Sequence, residues 1–440
     1  MSADIRNIFV VGLDPFNLQL LRGVRNADEY VFHSLLDYEE IAAARSFDVE
    51  ALLTKARQIL DAFHDEVHAI VGYWDFPTIL MMPILRAERG LRGPSLESVL
   101  RCEHKYLSRI VQRNVAPGLV PRFVLVDPFE PQTEAGIDMN YPYWIKPVKA
   151  HSSRLGFRID RLEDLQGALP HIRAGIDRFA TPLDAIMRHA DLSADEARVH
   201  GAYCIAEAII SKGRQCTLEG YVFEGKVEAY GIVDTLRGPN GASLERYEYP
   251  SSLPDPVKRR MRDAARRVIE ATGLDDSPFN MEFYYREHDD SIALLEINAR
   301  ISKSHSPIFE KVEGVPHKEV MIDVALGKCP DYPARRGRFT IAAKFMPRVY
   351  GERDAKCVTH APDEDAVREI ASGFPGTDIT LHVHEGMQLR ELSDNHRDSY
   401  SYQIADIFMG ADQHQALEEN YAALMEALDI RIDGERISPA

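Results

Sequence analysis

Two short stretches carry the residues whose types and spacing suit chemistry. In "LLEINAR", residues 294–300, Glu296, Asn298 and Arg300 are spaced two apart. A strand would set all three on one face, backed by Ile297 and Ala299. Upstream, "FNMEFYY" (279–285) alternates so that Glu282 faces away from Phe279, Met281, Phe283 and Tyr285. Joined by the polar turn "REHDDS", the two strands would bring Glu282 to the Glu296 row. Two carboxylates and an amide oxygen with no cation between them repel and are costly to desolvate. A hard divalent ion resolves the conflict, since magnesium takes oxygen ligands from one or two carboxylates plus phosphate and water. Glu296 could bridge two ions, with Glu282 on one and Asn298 on the other, leaving Arg300 for an anion. A surface sheet that pairs Glu with Arg is the plainer alternative.

The elements that must position these groups fall into three stretches. The first hundred residues alternate buried strands ("NIFVVG", "VHAIVG") with amphipathic helices over Val49 to Asp65 and residues 94–114, an α/β open-sheet pattern. Gly12 alone makes no dinucleotide fingerprint. Prolines and glycines between Ala116 and Tyr143 mark a domain joint. Strand-forming runs broken by Gly213, Gly220 and Gly225 follow, then a helix over 256–272 ended by Gly273. Its arginines read as a solvated face rather than a phosphate patch. The last hundred residues again mix strands with a helix over Ala416 to Leu428.

Composition narrows the classes. At 440 residues two or three packed units are expected. A formal charge of -17 argues against nucleic acid or an acidic membrane as partner. Five scattered cysteines without CxxC spacing argue against a disulfide framework or zinc. With no signal peptide and no membrane span in the sequence, a cytoplasmic location is expected.

Taken together, four stretches resemble the ATP-grasp ligase superfamily. "NMEFYY…LLEINAR" looks like its paired metal-binding strands, and "YPYWIKPV" like the strand bearing a phosphate-binding lysine, Lys146 here. "GPSLESVLRCEHKYLSR" is similar to the preceding helix with the other nucleotide lysine, Lys105. "AEAIISKGRQCTLEG" resembles the hinge and lid strands that clasp adenine and ribose. The resemblance implies an α/β and α+β architecture: an N-terminal α/β lobe (1–115), a two-lobed ATP-grasp unit (116–330, lid about 140–210) and a C-terminal α/β lobe (331–440). It implies ATP, two magnesium ions (or manganese) held by Glu282, Glu296 and Asn298, and phosphates on Lys105 and Lys146. Glu207 and the backbone of Ala208, Ile209 and Ile210 would read adenine, and Gln215 stands where relatives have a ribose-binding glutamate. "HSSRLG" replaces a glycine-rich phosphate loop, so Ser152, Ser153 and Gly156 would cover phosphate.

The chemistry implied is ATP-dependent formation of an amide or peptide bond through an acylphosphate, with Arg300 and Lys146 catalytic and no protein nucleophile. The domain order resembles amino-acid and dipeptide ligases, which act on small carboxylates and amines and are often homodimers. A bicarbonate-activating enzyme like biotin carboxylase is the second reading, although its Gln-Val-Glu-His after the arginine is absent. A non-catalytic ATP-binding regulator is the third. Asp75, after the strand "VHAIVG", would line the substrate pocket or cap a helix. His305 would contact substrate or serve as a structural hydrogen-bonder. Tyr284 reads as core or rim packing.

Overall fold

The computed structural model describes residues 5–41, 46–150, 154–350, 356–393, 396–398 and 400–437. Near the N-terminus, strand Arg6–Leu13 lies between Tyr30–Asp37 and Val67–Val71 in a parallel sheet. Both faces are buried, as parallel sheets require. Phe9 and Val11 pack with Leu53, Ala56 and Leu60 of helix Val49–Asp61. Ile8 and Val10 face the other way, onto Ile301, Met321 and Ile322 from far along the chain. That second contact sets the end of strand Val67–Val71 beside the segment after Asn298.

The helix expected over 94–114 is two helices, Leu96–Glu103 and Lys105–Val115. His104 between them is extended, and its ring caps the second helix by accepting from the Leu107 N–H (3.4 Å). Periodicity alone runs through such a break. The break matters because it puts Lys105 in the first turn, where helix N–H groups favour anions.

An antiparallel four-stranded sheet follows, in the order Phe123–Val126, Cys204–Ala208, Tyr143–Pro147, Phe157–Ile159. Helices Leu162–Gly175 and Asp177–Met187 back it through Leu165, Leu169, Ile172 and Ala180. This lobe therefore begins earlier than the lid expected from about residue 140.

The central sheet has eight antiparallel strands: Ser291–Asn298, Ser277–Arg286, Arg214–Phe223, Lys226–Arg237, Leu244–Tyr249, Ile341–Phe345, Ala405–Ala411 and Thr377–Leu381, in that spatial order. Helix Asp255–Thr272, closed by Gly273 at φ 73°, packs Val257, Met261, Ala264 and Val268 against one face. Helices Ser306–Glu313 and Lys318–Ala325 cover the other with Phe309, Val320 and Val324. Residues beyond 331 keep their own core around Phe345, Leu417, Leu424 and Ile432, yet three of their strands continue the central sheet. The arginines of helix Asp255–Thr272 face solvent, with Arg260 on Asp290 and Arg266 on Asp263. No helix among the described residues is long and apolar enough to cross a membrane.

Candidate active site

The paired strands put the two carboxylates opposite one another, with Glu282 in register with Glu296 and Asn280 with Asn298. A β-bulge shapes this edge. The register slips between Glu282 and Phe283, so Leu295 has no partner on the other strand. Leu294 and Ile297 can then both enter the core while Glu296 turns out of it. The carbonyls of Leu294 and Leu295 accept from Arg109 Nη1 (2.9 Å) and Nη2 (2.7 Å). Arg109 also donates to Glu207 Oε1 and Gln112 Oε1, both at 2.5 Å, so one buried guanidinium ties the bulge to the lid sheet.

Glu282 accepts from Gln215 Nε2 (2.8 Å), and among the described residues no cation pairs with either facing carboxylate. Burial, and then Glu296, push Glu282 well above the usual carboxylate range. Asn298 donates through Nδ2 to Asn280 Oδ1 (3.0 Å), which orients its own Oδ1 away from Asn280, where Arg300 Nη2 approaches at 3.4 Å. The donors are hard oxygens with an excess of negative charge, and such a set fits a divalent cation held by Glu282, Glu296 and Asn298.

The two lysines converge from different elements. Lys105 donates to the carbonyl of Ala150 (3.0 Å), while its own N–H bonds the Val148 carbonyl (2.8 Å). Burial lowers its pKa to about 8, with Lys149 and Lys146 adding to the effect and Glu296 opposing it. Lys146 pairs with Glu207 (2.6 Å). Burial disfavours a charged Glu207, but Arg109 and Lys146 outweigh it and hold the carboxyl at about 2.

Arg300 donates to Asp75 Oδ2 (3.0 Å), and Asp75 Oδ1 faces Lys149 at 3.3 Å. Lys149 in turn binds Glu103 (2.5 Å), whose other oxygen accepts the Ala299 N–H (2.9 Å). Arg300 is thus held by a relay from three segments, and its Nε is buried without a hydrogen-bond partner among the described residues.

The structure assigns several expected residues different surroundings. Glu207 is a buried prop for Arg109 and Lys146, so its side chain is not free for adenine. The Ala208 N–H donates to the Arg122 carbonyl (2.9 Å), and Ile209 and Ile210 lie beyond the strand end. The Gln215 carbonyl accepts from Arg237 Nε (2.9 Å) and Tyr284 OH (3.1 Å), so the residue supports Glu282 more than it offers itself to a ribose. Asp75 reaches the site through Arg300 and is no helix cap; Pro77 holds that position. His305 is buried, bonded to Glu219 (2.8 Å) with its ring against Tyr247, a structural placement. Gly156 follows the left-handed Leu155 at φ 55°. Ser152 and Ser153 lie outside the described residues.

Four residues were missed: Glu103, Arg109, Lys149 and Arg237. Arg109 had a signal, because it stands four after Lys105 and shares its helix face. Lys149 closes "KPVK" three residues past Lys146. Nothing local distinguishes Glu103 or Arg237 from surface charges.

Residues 246–330 match the family described as carbamoyl-phosphate synthase L chain, ATP binding domain. A urea amidolyase from Lachancea kluyveri is 25% identical over 276 residues, covering 61% of this chain and 14% of that protein. A carbamoyl phosphate synthase large chain from Thermotoga sp. (strain RQ2) is 34% identical over 102 residues, 22% of this chain and 9% of that one. This chain therefore spans only a small part of those relatives. Similar solved structures match end to end. An L-amino acid ligase from Bacillus licheniformis superposes with a TM-score of 0.69 at 16% identity, covering 98% of this chain and 99% of that one. A biotin carboxylase from Campylobacter jejuni gives 0.63 at 14% identity, with 98% and 93% covered. An N5-carboxyaminoimidazole synthase from Aspergillus clavatus gives 0.63 at 15%, with 97% and 100% covered. Over nearly its whole length, the chain has the ATP-grasp fold.

Proposed function

We propose that this chain is an ATP-dependent ligase that joins a small carboxylate to an amine through an acylphosphate. The observation that carries the reading is the facing Glu282–Glu296 pair, set beside Arg300 and within the electrostatic reach of Lys105. Lys105 and Lys146 would hold ATP phosphates as point charges, with Ile209 and Ile210 on the adenine. Glu282, Glu296 and Asn298 would hold magnesium, which when bound neutralises phosphate charge. A substrate carboxylate oxygen bonds to the γ-phosphorus as the bond to the β-phosphate oxygen breaks, releasing ADP. The amine nitrogen then bonds to the acyl carbon, the carbon–oxygen bond to phosphate breaks, and the departing phosphate can take the amine proton. Arg300, held by Asp75, would stabilise the tetrahedral oxyanion that amine attack creates.

The test is hydroxamate formation from a panel of amino acids and small acids, with MgATP and hydroxylamine. Hydroxamate from one acid is expected; ADP release driven by bicarbonate alone would replace this reading with the carboxylase one. The end-to-end superposition on biotin carboxylases, one of them in complex with bicarbonate, is what favours bicarbonate as the second reading. The end-to-end superposition on an amino acid ligase supports the first.

Lys105 carries a pH prediction. Below its pKa of about 8 the ammonium is charged and can meet phosphate; above it the attraction fades. The kcat/KM for ATP, which reports free-enzyme groups, should fall on the alkaline side with a limb near that value. Lys105→Arg, charged throughout, should lose the limb. A limb unchanged in the variant would remove Lys105 from the phosphate site.

A further inference from the structure

Beside Arg300 stands a second cation that the reaction above does not use. Lys303 opens the short turn Lys303–His305, three residues past Arg300. Its Nζ sits 3.8 Å from the centroid of the Trp74 ring. That ring is pinned by its own N–H, which donates to the Gly12 carbonyl (2.7 Å), and lies edge to face with Tyr38. Gly12 has φ 67°, and a Cβ there would come within 2.9 Å of Trp74, so a glycine is needed for the indole to lie flat on the chain. Trp74 and Asp75 are consecutive and their partners Lys303 and Arg300 are three apart, so the two contacts clamp the same pair of segments.

The other groups around Lys303 are paired or closed off. Arg300 has Asp75, Lys149 has Glu103 (2.5 Å), and Lys344 has Asp406 (2.7 Å). Asp14 is occupied at both oxygens by Asn17 (2.9 and 2.6 Å). Lys318, over the Tyr73 ring at 3.6 Å, is fully buried and closed to a ligand. Lys303 is only half-buried, and among the described residues its ammonium has an aromatic base but neither a carboxylate nor a hydrogen-bond acceptor. Burial, reinforced by Lys344, draws its pKa down to about 8. Asp14 and Asp406 attract it but neither pairs with it; a desolvated cation without a paired anion is costly, and an incoming anion relieves that cost.

We propose that Lys303, seated on Trp74, anchors a substrate carboxylate that the reaction leaves untouched. That carboxylate could belong to a diacid acyl donor or be the α-carboxylate of an amino acid supplying the amine; the chemistry recognised is the same. The assignment deepens the ligase reading and rests on it, but it can be tested by binding alone. The chain has two tryptophans, so Trp144→Phe leaves Trp74 as the sole indole reporter. With MgADP present, Trp74 emission is titrated with succinate, L-aspartate and L-glutamate against succinamate, L-asparagine and L-glutamine. A second arm compares glycine and L-alanine with glycinamide and L-alaninamide.

A saturable change is expected from at least one acid, with its amide about 10–100-fold weaker, the range for losing a charged hydrogen bond. The arm that responds names the source. Lys303→Met should erase the preference by weakening the acid, and Lys303→Arg should retain most of it. Equal responses to acid and amide, a preference that survives Lys303→Met, or no response to any probe would each overturn the assignment. Hydroxamate formation by the unmodified chain separates the two claims. Hydroxamate without any acid-over-amide preference sinks the Lys303 anchor alone. A Lys303-dependent preference with no hydroxamate from any acid sinks the ligase reading and leaves the anion site standing.

Discussion

Glu296→Gln is expected to lower ATP-dependent hydroxamate formation by about 10³-fold or more, since it removes the carboxylate placed to hold magnesium against the transferring phosphoryl group. The same change should leave the fold intact or firmer. In the absence of metal, burial and Glu296 raise the pKa of Glu282 in the folded state. For a carboxyl shifted upward, stability is full below the unfolded value and is lost as pH rises through the folded one. Metal-free protein should therefore lose thermal stability as pH climbs above the ordinary glutamate range, and magnesium should restore it at neutral pH by binding only the folded chain. Glu296→Gln should flatten that pH dependence and shrink the stabilisation by MgATP. Melting curves across pH, with and without MgATP, check both. A variant that keeps the wild-type hydroxamate rate would show that the facing pair is not the metal site.

Arg109→Met is expected to give the largest loss of stability, about 3–5 kcal/mol, the range for breaking a buried ion pair from one side. Arg109 is 2% exposed and serves Glu207, Gln112 and the two carbonyls freed by the bulge. Methionine fills some of the volume but leaves Glu207 with Lys146 alone and the Leu294 and Leu295 carbonyls unpaired. The sign of the pH effect follows from Glu207, whose folded value of about 2 lies below the unfolded one. Its contribution is present above the unfolded value and is lost as pH falls toward 2. Without Arg109 the folded value rises, so acid unfolding should begin at higher pH. The KM for ATP should rise as well, because Glu207 would hold Lys146 more tightly. Acid and urea unfolding, followed by intrinsic fluorescence, measure the first effects, and unfolding curves unchanged by the substitution would rule out Arg109 as the tie between the bulge and Glu207.

The strands, the helix closed by Gly273 and the face shared by Glu282 and Glu296 follow from alternation and capping, which are local and period-bound. The bulge at Leu295 is different: alternation predicts a regular strand, and the slip is stabilised by a guanidinium some 185 residues away in sequence. The split at His104 is likewise hidden, because both helices keep the same apolar rhythm across it.

Functional roles divide in the same way. By itself the sequence determined which oxygen and nitrogen groups stand together on the paired strands, since residues two apart on a strand must share a face. Tertiary structure alone decided which charges can meet a ligand and which are spent on each other. Glu207 and Gln215 look like nucleotide contacts in sequence, but buried Arg109 and, at the surface, Arg237 claim their oxygens. Asp75 becomes a site residue only because the N-terminal sheet packs Ile8 and Val10 onto Ile301, carrying its strand end to Arg300. Lys303 is one of many lysines until Arg300, Lys149 and Lys344 are seen to have carboxylates of their own and Lys318 to be fully buried. Burial makes each such pairing exclusive: in a low-dielectric interior a charge must find a partner, and partners brought together by packing of distant segments leave no mark on local spacing.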